Sequence, residues 1–178
     1  MSEQAEIDGY EAEGRFDAII GRMVLHHLPG AVSTLRRLSG LLAPGRLVVF
    51  QEPDLSALGM EPATELGAQI SGWFTQVFKR AGLDPRFGLR LPLVMKAAGL
   101  PPPHVIAAQR LSVADATTRT SEYFEASVRG ILPLMERFGI ATAEQVDIAT
   151  LPQRLAQDML RHDGTWCSLR MVGAWTRI

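Results

Sequence analysis

Cysteine is almost missing from this chain: Cys167 is the only one in 178 residues. An intramolecular disulfide is therefore excluded, and a thiolate zinc cluster has too few ligands. A charge excess of either sign is missing too. Eighteen Lys and Arg stand against nineteen Asp and Glu, a formal net charge of -1. That balance leaves no basic footprint for nucleic acid or an anionic membrane surface. No apolar run approaches the roughly 20 residues that cross a bilayer. The opening segment, Met1 to Gly14, carries Glu3, Glu6, Asp8, Glu11 and Glu13 with little apolar content. It is neither a signal peptide nor an Arg-rich transit peptide, so a cytoplasmic protein is expected. Histidine is scarce as well, and His104 and His162 stand without metal-ligand spacing, so no metal site is expected.

What is present reads as alternating strands and helices in one α/β domain spanning 15–178, behind a poorly packed acidic leader at 1–14. Phe16-Asp17-Ala18-Ile19-Ile20-Gly21 is a short apolar run of the kind buried on both faces of a parallel sheet. Val32, Leu35, Leu38 and Leu42 then recur at helical spacing, and Ala43-Pro44-Gly45 is expected to stop that helix. Leu47-Val48-Val49-Phe50 is a second apolar run, expected to be fully buried. Strand, helix and strand with short links predict a right-handed parallel crossover. Leu66, Ile70, Trp73, Phe74, Val77 and Phe78 place a long amphipathic helix over about 62–81. Further helices are expected over 89–98 and 121–138, and strands over 104–111 and 169–178. Thr142 with Gln145, and Thr150 with Gln153, each fit a capping box, and Pro152 suits a first helical turn.

Two strings carry a resemblance. Phe16 to Leu28, with Met23-Val24-Leu25-His26-His27 after the strand, resembles the fourth strand and following loop of class I S-adenosylmethionine-dependent methyltransferases. Leu41 to Phe50 resembles the next helix end and fifth strand, with Arg46 where that family usually has a second glycine. Gly82-Leu83-Asp84-Pro85 to Gly99-Leu100, and Ala174-Trp175, look like the small-molecule branch. The resemblance implies a partial Rossmann-like methyltransferase sheet, the fourth to seventh strands of the family fold, with flanking helices and a helical cap at about 62–100 and 118–162. The family's acidic-x-Gly-x-Gly-x-Gly turn, which lets the backbone approach the cofactor, has no counterpart, since Gly9 and Gly14 stand alone. The implied activity is methyl transfer from S-adenosylmethionine to a small molecule, incomplete without a partner chain or second copy. The alternative is a catalytically inactive methyltransferase-like binding or assembly protein. With the family's first strand gone, the strand at 16–21 becomes an edge, expected to be covered by a second copy in a homodimer, a partner chain or the leader.

Candidate site residues follow from the rule that ligands bind outside the carboxyl ends of parallel strands. Arg22 and Met23 end the first strand and are the candidate cofactor contacts; a bland role for Arg22 is a surface pair with Glu13 or Asp54. His27 is the candidate base, since imidazole titrates near neutrality. His26 is a candidate substrate contact, and either histidine could instead pack in the loop. Glu52 ends the second strand, where it could orient an acceptor hydroxyl or take its proton, or else cap a helix or pair with Arg22. Trp73, Phe74 and Tyr123 could line an apolar acceptor pocket, although such spacing belongs more often to a core.

Overall fold

Short apolar runs need partners for their backbone N–H and C=O groups, and the runs around Ile19 and Val48 find each other. A computed structural model describes Ile7, residues 16–113 and residues 120–178. Strand β1 (Phe16–Arg22) and strand β2 (Leu42–Asp54) are parallel, with Ile19 opposite Val48, Gly21 opposite Phe50 and Arg22 opposite Gln51. A 3-10 turn (Leu25–His27) and helix α1 (Ala31–Ser39) connect them. After β2 come β3 (Gly59–Glu61), α2 (Glu65–Arg80), α3 (Phe87–Ala97) and β4 (His104–Val113). Helices α4 (Thr120–Arg137), α5 (Ala143–Val146) and α6 (Leu151–Arg161) precede the last strand, β5 (Thr165–Arg177). The strand order is β1-β2-β5-β3, with β4 against β5. The architecture is α/β, as the strand and helix alternation predicts. No helix among the described residues is long and apolar enough to cross a membrane. The acidic leader lies outside the described residues, Ile7 excepted.

Two units make up the chain. One takes in Met1–Pro53, Arg86–Ala107 and Met171–Ile178, the other Asp54–Pro85 and Ala108–Arg170. The first has a core of Leu25, Leu35, Val48, Phe50, Leu91 and Met95, drawn from the turn, α1, β2 and α3. The second packs α2, α4 and α6 around Ile70, Trp73, Val128, Leu155 and Trp166. Helix α2 starts where Thr64 accepts a hydrogen bond from the Gly67 N–H, and the stripe Ile70, Trp73, Val77 is its buried face.

Four expectations need correction. Strand β1 is not buried on both faces: Ile20 is 74% exposed and only Ile19 packs against the core. Alternate side chains of a strand point to opposite faces, and the Ile20 face of β1 is left to solvent. Over Leu47–Phe50 strand β2 is buried only at alternate residues, Val48 and Phe50 inward, with Leu47 and Val49 half-buried; burial is continuous only at its end, Glu52 to Asp54. Ala43-Pro44-Gly45 does not stop α1, which has already ended at Ser39. These residues bulge out of β2: from Phe16 to Ala18 the strand advances two residues while its partner advances from Leu42 to Leu47. Pro44 has no N–H for the ladder and Gly45 takes φ 78, so a bulge is where they fit. Thr150 does not cap α6; it is itself helical and its hydroxyl turns back to Asp147. The Thr142–Gln145 capping box, by contrast, is formed on both sides. Strand β3 carries no sequence signal of its own; three residues with Met60 opposite Trp166 are too few to show alternation.

Helix α3 approaches β2 so closely that a side chain at Gly88 has no room. A Cβ there would lie 2.7 Å from the Glu52 carbonyl oxygen and 2.9 Å from that of Pro53, both backbone atoms. Gly88→Ala is therefore expected to cost about 1–3 kcal/mol. Urea unfolding checks this; an unchanged midpoint would contradict the tight approach.

Candidate functional site

The site is built where β1 and β2 end side by side. Met23 follows β1 in the left-handed region, φ 54, which is strained for a side chain of that size. Its N–H still donates to the Gln51 carbonyl at 2.8 Å. The reversal points the next backbone N–H groups at one carboxylate. Val24 and Leu25 donate to Glu52 Oε1 at 3.1 and 2.9 Å, and His26 N–H approaches Oε2 at 3.4 Å. The His26 ring closes the set, with Nδ1 2.6 Å from Oε2. Successive N–H groups converging on an anion form a nest. Here the anion is the protein's own Glu52, which is fully buried.

Burial pushes the Glu52 carboxyl up, but the His26 hydrogen bond, the Leu25 and Val24 N–H groups and the His26 charge outweigh it. The group therefore lies below the ordinary carboxylate range. An ionised carboxylate only accepts, so His26 Nδ1 carries the hydrogen. His27 is exposed beside it, the two ring centroids 3.9 Å apart. Its imidazole is lowered by partial burial first and by His26 next, against an opposite pull from Glu52. The shift favours the neutral imidazole, the form that can accept a proton.

Arg22, Met23, His26, His27 and Glu52 are brought together in the first unit. The Arg22 guanidinium is exposed, with Nε donating to Gln51 Oε1 at 2.9 Å. Asp54, one of its expected partners, is instead held by Arg170 at 2.9 and 2.7 Å and by the Ser56 hydroxyl at 2.9 Å. The other, Glu13, lies outside the described residues. Trp73, Phe74 and Tyr123 belong to the second unit. Trp73 is buried in its core and Phe74 packs against it. Tyr123 is 55% exposed, edge-on to Phe124, beside a hollow of about 10 Å³ that holds at most one water. Sequence reasoning missed Gln51, which anchors Arg22, and Gly88, which lies under the Glu52 backbone. Among the described residues no group of three His, Cys, Asp or Glu could hold a metal ion.

An adenosine ribose needs a carboxylate with free oxygens at a strand end. Both Glu52 and Asp54 have theirs occupied, the Asp54 oxygens by Arg170 and by the Ser56 hydroxyl and N–H. The described residues therefore do not by themselves fit S-adenosylmethionine.

The lowered Glu52 carboxyl has a consequence for acid stability. In the folded state it binds its proton at lower pH than in the unfolded chain, so between those two values the unfolded state holds more protons. Its contribution is complete above the unfolded titration near 4.5 and is lost as pH falls through the folded value. Urea midpoints measured from pH 7 to pH 3 are expected to fall more steeply for the parent than for Glu52→Gln. Equal slopes would contradict the depressed carboxyl.

Residues 2–89 match the family model of a methyltransferase domain. No curated protein matches the chain in sequence. Among solved structures, a Bacillus halodurans protein assigned as a methyltransferase is similar at a TM-score of 0.50 and 11% identity, covering 98% of this chain and 69% of its own. Phosphoethanolamine N-methyltransferase 2 of Haemonchus contortus was solved with phosphomonomethylethanolamine and S-adenosylhomocysteine. It is similar at a TM-score of 0.43 and 14% identity, over 97% of this chain and 36% of its own. An Anabaena variabilis protein assigned as a methyltransferase of an antibiotic biosynthesis pathway gives 0.48 and 14%, over 94% and 70%. The chain thus spans between 36% and 70% of the length of these structures. Residues 2–89 thus match a methyltransferase domain, and the α/β fold is the Rossmann-like fold of methyltransferase structures.

Proposed function

We propose that this chain is a small-molecule methyltransferase component whose S-adenosylmethionine site is completed by a further polypeptide segment carrying the glycine-rich turn. The observation that supports this reading is the exposed imidazole of His27, in the turn that follows the parallel β1–β2 strand ends, with its titration lowered so that the neutral form is favoured. His27 takes the proton of an acceptor hydroxyl or ammonium group, and the Arg22 guanidinium meets an acidic part of the acceptor. Met23, 38% exposed in the same turn, is the nearest apolar contact on the rim for the completing cofactor. The apolar edge at β1, where Ile20 is 74% exposed, is the surface on which a second copy or a partner chain docks.

A second reading rests on a separate observation. Glu52 and Asp54 are both saturated from within the chain. That suits a binding or assembly protein that retains the family fold without its chemistry.

Calorimetry and transfer assays separate the two. The chain alone is expected to give no saturable heat with micromolar S-adenosylmethionine, and to bind it once the glycine-rich segment is supplied. In that completed enzyme His27→Asn is expected to slow methyl transfer by about 10²–10⁴ while cofactor binding stays unchanged. Micromolar binding by the chain alone would overturn the completion, and undiminished transfer by His27→Asn would overturn the base. Light scattering tests the edge. The parent is expected to associate and Ile20→Lys to be monomeric; a monomeric parent would remove the second copy as occupant of this edge.

A further inference from the structure

Glu52 stands at a strand end, which is where an acceptor-facing acid is expected, yet its carboxylate reaches no rim. Both oxygens are consumed inside the protein: Oε1 by the Val24 and Leu25 N–H groups, Oε2 by His26. Its backbone is fixed from the other side, since the carbonyls of Glu52 and Pro53 lie against Gly88 at the start of α3. The ring of Phe87, the residue before Gly88, is 6.3 Å from the His26 ring. The carboxylate is thus a fixed point, gripped by β2 and α3 behind it, and the turn 24–26 is laid upon it.

We infer that Glu52 is a positioning residue: its buried carboxylate, by binding the Val24 and Leu25 N–H groups and the His26 ring, sets the turn that presents His27 at the end of β1. This rests on the reading of His27 as proton acceptor and deepens it. The turn's own hydrogen bonds begin only at the His27 N–H, which donates to the Val24 carbonyl at 3.1 Å, and the Leu28 N–H, which donates to that of Leu25 at 3.0 Å. A single 3-10 turn has little stability by itself. Its first two N–H groups would be orphans, and Glu52 is what satisfies them. His26 is the second half of the device. Its ring is buried where His27, one residue on, is exposed, so anchoring the first fixes the orientation of the second. The groups facing His27 are accordingly His26 and Glu52, with the Arg22 side chain tied to Gln51.

The test has two parts, neither of which uses methyl transfer. In the unmodified chain the Val24 and Leu25 amides are expected to exchange at least about tenfold more slowly at pH 7 than free peptide amides. Exchange at the free rate in the folded protein would overturn the proposal without any variant. Histidine-resolved NMR titration then compares the parent with Glu52→Gln and Glu52→Asp. The aspartate variant keeps the charge but is one methylene too short to bridge to the turn. Positioning predicts that in both variants the His26 Nδ1–H signal is lost. It also predicts that the His27 midpoint rises toward the ordinary imidazole value, as its ring regains water. If Glu52 acts by charge alone, Glu52→Asp will titrate like the parent and the His27 midpoint in Glu52→Gln will fall; that pattern overturns the proposal. Should either variant unfold, amide exchange in the parent decides. Failure of the base reading has a different signature, namely transfer that survives His27→Asn.

Discussion

A carboxylate taken out of water costs several kcal/mol unless its lone pairs are filled, and the first unit is organised around filling those of Glu52. Two backbone N–H groups and one imidazole do it within 3.1 Å, and a third N–H stands at 3.4 Å. To deliver them the chain must reverse as β1 ends, and Met23 accepts a positive φ to make that reversal. The ends of β1 and β2 are thereby tied together beyond their ladder, and α3 locks the other side through the close approach at Gly88. Removing one partner of such a buried pair leaves the other without compensation, which costs more than the pair contributes net.

The same constraint sets what the end of β1 presents to solvent. A turn held by a buried anchor can carry an exposed imidazole in a fixed place, and His27 is that imidazole. Its partial burial and the neighbouring His26 favour its neutral form, whereas Glu52 pulls the other way. Glu52 thus acts on the rim without reaching it. The fold supplies the frame, and the proposed chemistry rests on these few side chains.

Much of the frame was legible in the residues. The apolar runs at Ile19 and Val48 and the stripe through Leu35 and Leu38 announced a parallel crossover, because backbone pairing and helical periodicity are local demands. The α5 capping box was legible for the same reason. What failed depended on neighbours far away in sequence. The place of β1 at the sheet edge was expected, but that its Ile20 face is left open to solvent depends on what packs over the sheet, which no run of six residues can reveal. The Pro44–Gly45 bulge looks like a helix stop because both need the same residues. Thr150 failed as a cap because its backbone is already helical and its hydroxyl donates to Asp147 while accepting from Arg154 Nε. At the site, the end-of-strand rule gathered Arg22, His26, His27 and Glu52 correctly into one neighbourhood. It could not tell an outward carboxylate from an inward one, since that turns on the positive φ at Met23. Trp73 and Phe74, proposed as pocket walls, are ordinary helix-core residues of the second unit.

The central claim is that Glu52 and His26 form one energetic unit. A double-mutant cycle in urea, with His26→Asn, Glu52→Gln and the double variant, measures that coupling directly. The account predicts that the two losses fall short of additivity by about 1–3 kcal/mol. Losses that add to within about 0.3–0.5 kcal/mol would contradict it, because independent sites behave that way.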